Sequence, residues 1–75
     1  MTKEEARLYV IDGELRLTEI LSCVRLHVAN ISPDLAADPK HAELISARLA
    51  RIDELTSDYA DVRFRVAAVK KEFEL

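Results

Sequence analysis

The sequence predicts an all-α fold, an antiparallel two-helix hairpin, and three observations carry that reading. The first is a heptad line, Ile45, Ile52, Tyr59, Val66 and Phe73, accompanied by a second line of Arg48 or Leu49, then Leu55, Val62 and Val69. Apolar residues at these a and d spacings mark a helix with one seam to bury. The second is that no Gly or Pro follows Pro39, so nothing interrupts that helix. The third is composition. One Gly and two Pro in 75 residues are too few for a turn-rich β fold.

The first helix opens at Thr2-Lys3-Glu4-Glu5, which has the form of a capping box. Thr2 can accept from the Glu5 backbone N–H while the Glu5 carboxylate reaches back to Thr2. The acids also suit the positive end of the helix dipole. The next run, Leu8 to Leu17, reads two ways. Asp12-Gly13 between apolar runs is a strong hairpin signal. A two-stranded hairpin alone is barely stable, however, and nothing else here reads as strand, so continuous helix is the stronger expectation. On that reading Gly13 is unfavourable relative to Ala, and it marks either a close approach by another part of the chain or a weak point.

Helix 1 then extends to about residue 30, and its apolar residues fall into two stripes. Val10, Leu17, Ile20, Leu21, Val24, Val28 and Ile31 form one; Leu8, Ile11, Leu15, Leu26 and Ala29 form the other. At 100° per residue the two lie on nearly opposite faces. One partner helix cannot cover both, which points to a second subunit. Asn30 suits a helix C-terminus, and Ser32-Pro33-Asp34 reads as a stop followed by a single turn from Pro33 to Ala37. Asp38-Pro39 repeats the start signal. The expected organisation is thus one domain, residues 1–75, with helix 1 over about 3–30, a loop at 31–38 and helix 2 over about 39–74.

Folding this hairpin at the middle of its loop, residues 34–35, sets residues whose numbers add to 69 opposite each other. Val24 then faces Ile45, Leu17 faces Ile52 and Val10 faces Tyr59. The expected core and dimer contacts are Leu8, Val10, Ile11, Leu15, Leu17, Ile20, Leu21, Val24, Val28, Ile45, Leu49, Ile52, Leu55, Tyr59 and Val62. Arg48 falls opposite Ile20, where a buried charge is costly, so it should run outward or find an acid. Helix 1 runs out near Ala67 in this register, which leaves Val66, Val69, Phe73 and Leu75 as an overhang. A chain this short buries only about 60% of its unfolded surface, so association is the expected compensation, as a homodimeric four-helix bundle.

Chemistry-bearing patterns are sparse. A single cysteine excludes an internal disulfide, and Cys23-x-x-x-His27 supplies only half of a tetrahedral zinc site. His41 falls roughly opposite His27 in the expected register. Buried seam residues explain Cys23 and His27 more simply, so no metal or cofactor is assigned. There is no phosphate-binding Gly-rich loop and no Glu-x-x-His pair, and the chain is not expected to be an enzyme. Arg63, Arg65, Lys70 and Lys71 gather near the end of helix 2, but the formal net charge is −3, which disfavours nucleic acid as partner. No run approaches a membrane span and no export signal opens the chain, so a cytoplasmic location is expected.

In size and shape such a hairpin is similar to small two-helix co-chaperones and anti-activators of bacteria and their phages. Sequence therefore favours a non-enzymatic module that binds another protein through an apolar helical face. The partner-binding candidates are Arg63, Phe64, Arg65, Val66, Val69, Lys70, Lys71, Phe73 and Leu75. Phe64 stands out because it leaves the seam and is ringed by Ala60, Ala67 and Ala68. A nucleic-acid-associated regulator using the basic end, or a structural subunit of a larger assembly, are the alternatives.

Overall fold

A computed structural model describes residues 1–31 and 37–75 of the chain. Two α-helices pack against each other: α1, Lys3–Ala29, and α2, Ala42–Glu72. Among the described residues there is no strand, so Leu8 to Leu17 is helical and the Asp12-Gly13 turn is not formed. The capping box at Thr2 is complete, with both arms at 3.1 Å. Asn30 closes α1 by donating its N–H to the Leu26 carbonyl. The expected turn from Pro33 to Ala37 lies outside the described residues, apart from Ala37. Asp38 accepts from the Lys40 N–H at 2.9 Å and caps a 3₁₀ turn, Pro39–His41, which leads into α2. The first turn of the expected second helix is thus 3₁₀ rather than α.

Gly13 sets the register. A Cβ built there would lie 2.3 Å from Cγ2 of Val66, so the Val66 side chain fills the space that any other residue would occupy. Residues whose numbers add to 79 are therefore level, ten more than a fold at the loop centre gives. Ala6 has no exposed surface and stands level with Phe73, one heptad along each helix. The missing side chain at Gly13 thus receives a larger one from α2, and this complementarity outweighs the symmetry of the connection.

The overhang is corrected by this shift. Val66 is only 5% exposed, covered within its own chain, and Val69 and Phe73 are half-buried. At the other end the shift carries the first residues of α2 beyond Asn30, where Ile45 and Arg48 are half-buried. The partners expected for the seam change as well. Val24 is level with Leu55, Ile20 with Tyr59, and Leu17 with Val62. His27 stands level with Ile52 and not His41, which instead lies 3.7 Å from the Asp38 carboxylate. Arg48 is half-buried, and its Nε has no hydrogen-bond partner among the described residues.

The core is thin. Among the described residues only Ala6, Val10, Ile20, Leu55 and Val66 are buried, and no large side chain is fully enclosed. The chain measures 54 × 14 × 13 Å, with a radius of gyration of 17.0 Å. A compact chain of this length would have a radius of about 11 Å. Its accessible surface, 5842 Å², exceeds the roughly 4,700 Å² expected of a compact monomer of its mass.

Replacing Gly13 by Ala should therefore lower stability despite the helix propensity gained. The added methyl must displace a β-branched side chain held at one rotamer, an overpacking cost of about 1–3 kcal/mol. Urea unfolding followed by helical circular dichroism reads this out, and a Gly13→Ala/Val66→Ala double variant should show strong non-additivity. A higher midpoint for Gly13→Ala would contradict the close approach.

Candidate interaction surface

The surface left by this packing is sorted by helical geometry. The first stripe of α1 faces α2: Val10 and Ile20 are buried, and Leu17 and Val24 are half-buried. Leu21 and Val28, at the edge of the same stripe, stay 40% and 54% exposed. The second stripe points away. Leu8, Ile11 and Leu15 are 59%, 54% and 59% exposed, and Leu26 follows about three turns further on. Three bulky aliphatic side chains one turn apart on a single helix face make a contiguous patch, where scattered single apolar residues would need no explanation.

On α2 the half-buried residues Ile45, Ile52, Tyr59 and Val62 follow the expected seam, with Leu55 fully within it. Leu49 is exposed instead of buried, because the covered line of α2 passes through Arg48, one residue before it. Phe64 is 75% exposed, the most exposed large apolar residue among the described residues. It projects from the face opposite the α1 contact, beside exposed Ala60, Ala67 and Ala68. Small neighbours leave its ring accessible to a flat partner.

The basic end is partly neutralised from within. Arg65 pairs with Asp61 at 3.3 Å, as i,i+4 spacing predicts. Lys70 reaches across to Glu14 on α1 at 2.7 Å, rather than along α2 to Glu74 four residues on. Both pairs are exposed, so each contributes little to stability. Arg63 and Lys71 are exposed and make no ion pair among the described residues. Leu75 is 40% exposed, and its N–H bonds the Lys70 carbonyl at 2.9 Å across Glu74, whose φ is 55°. This is a Schellman closure built without the usual glycine.

Beside the Gly13–Val66 contact a shallow groove of about 320 Å³ runs between the helices. Tyr9, Asp12 and Arg16 line it from α1, and Val62 and Arg65 from α2. It is open to solvent, and four of the seven residues lining it, Tyr9, Asp12, Arg16 and Arg65, are polar or charged. Among the described residues no three His, Cys, Asp or Glu side chains gather to hold a metal ion. Cys23 is exposed, not buried in the seam. Among the described residues, no helix is long and apolar enough to cross a membrane. Comparison with protein-family models, curated proteins and solved structures finds no match.

The nine partner-binding candidates thus separate. Val66 belongs to the hairpin's own core; Val69, Lys70 and Phe73 are half-covered; Arg63, Phe64, Arg65, Lys71 and Leu75 are exposed. Leu8, Ile11 and Leu15, expected among the core and dimer contacts, are left exposed by the single chain. Replacing Val66 by Ala should cost about 1–3 kcal/mol by opening a cavity beside Gly13. Replacing Phe64 by Ser should change monomer stability by less than about 0.5 kcal/mol. Denaturant titration of both variants at low protein concentration separates core from surface, and equal losses would contradict this division.

Proposed function

We propose that this chain is a non-enzymatic protein–protein interaction module that works as a homodimer. The observation that carries the reading is the aliphatic patch Leu8, Ile11 and Leu15 on the far side of α1, more than half exposed in the single chain. Water contact with that area is unfavourable, and burying it contributes about 25 cal/mol per Å². A second copy placing its own patch there puts α1 in the middle and α2 outside, a dimeric four-helix assembly. The outer face of α2 is then free, with Phe64 at its centre and Arg63 and Lys71 nearby.

That face supports binding to another protein. An aromatic anchor among small residues supplies contact area, and flanking cations select an acidic rim. The reading is narrower than the one drawn from sequence, since Val66 is occupied within the hairpin and Arg65 and Lys70 already hold carboxylates. The same two pairs weaken the nucleic-acid alternative, which needs its cations free for phosphate.

Size-exclusion chromatography with light scattering at micromolar concentration should return twice the chain mass. Ile11→Glu combined with Leu15→Glu should return one chain mass with α1 and α2 still helical. A monomeric parent chain, or a variant that stays dimeric, would remove the proposal. For the second face, Phe64→Glu should leave the dimer intact and abolish retention of whatever protein the parent chain captures from its host.

A further inference from the structure

We infer that the second copy lies antiparallel on α1, with the two-fold axis passing close to Ile11. This rests on the self-pairing proposed above and fixes its geometry. The apolar patch is short and nearly symmetric about Ile11, with Leu8 three residues before it and Leu15 four residues after. In an antiparallel pair centred there, Ile11 meets the second Ile11 and Leu8 meets the second Leu15, so every apolar side chain finds another.

Charge decides the direction. Glu4 lies on the same outer line as the patch, one turn before Leu8. A parallel pair sets each Glu4 directly against the other, and facing like charges are destabilising. The antiparallel pair sets Glu4 against the Thr18 position instead. Arg7 and Glu14 lie along one edge of the patch, about 70–90° from its centre at 100° per residue. Antiparallel two-fold packing joins like edges, so Arg7 of each copy comes level with Glu14 of the other. Arg7 makes no ion pair among the described residues. Glu14 already receives Lys70 at 2.7 Å, and a carboxylate has room for a second cation. Two such pairs flank the dimer by symmetry, steering direction and register more than adding affinity.

Single cysteines in a Cys23→Ser background test this under mild oxidation, read on a non-reducing gel. Ile11→Cys should cross-link to a covalent dimer, because a residue at the axis faces its own copy within disulfide reach. Leu8→Cys and Leu15→Cys should each stay single, since equivalent residues are about 9 and 12 Å apart along the helix axis, but their mixture should cross-link. Self-cross-linking of Leu8→Cys and Leu15→Cys as readily as Ile11→Cys would overturn the antiparallel arrangement while leaving self-pairing intact. A chain that is monomeric by light scattering and cross-links nowhere would overturn both. A dimer that cross-links at none of the three would place its interface elsewhere and overturn this inference and the role given to the α1 patch.

Discussion

Two helices in contact along one line can bury one stripe of each and no more. That constraint governs everything else about this chain. Both helices are long, 27 and 31 residues, so the contact line is long, yet among the described residues it encloses only five well. A layer of two helices has no inside in the sense that a four-helix layer has. The apolar residues that this line cannot take up, Leu8, Ile11 and Leu15 on one side and Phe64 on the other, are consequences of geometry. Their positions on opposite outer faces leave two separate surfaces, one for the second copy and one for the different protein proposed above.

Within the contact line, the decisive position is Gly13. It is a poor helix former placed mid-helix, and its cost is offset by letting Val66 come within the volume of a missing side chain. Ala6, one heptad earlier, has no exposed surface and stands level with Phe73. The pairing of small with large residues fixes how far α2 slides along α1. It also brings the C-terminal third of α2 under cover and draws Lys70 to Glu14.

The helices, their caps and the direction of the chain were legible in the sequence because each depends on neighbours within a turn. Thr2 and Glu5, Asn30, and Asp38 with Pro39 are local signals, and the structure uses them all. The two stripes of α1 were legible for the same reason. Register was not. It depends on contacts between residues some fifty positions apart, and the middle of a loop is a weak guide when the two helices differ in length. The signal that bears on it was present: Ala6 and Gly13 recur at heptad spacing on α1, facing the line of Val66 and Phe73. Reading heptads for large residues alone passes over the places left deliberately small. The misplaced overhang followed directly from that, and with it the assignment of Val66 to an exposed site.

The central proposal is that the single hairpin, thin in its core, is only marginally stable and gains stability by pairing with a second copy. Folding and pairing are then coupled, and the midpoint of thermal unfolding must depend on chain concentration. Circular dichroism melts of the full chain across a hundredfold concentration range measure this directly. The account predicts a midpoint that rises steadily with concentration. A midpoint independent of concentration, with a cooperative transition throughout, would show that two helices suffice and would contradict it.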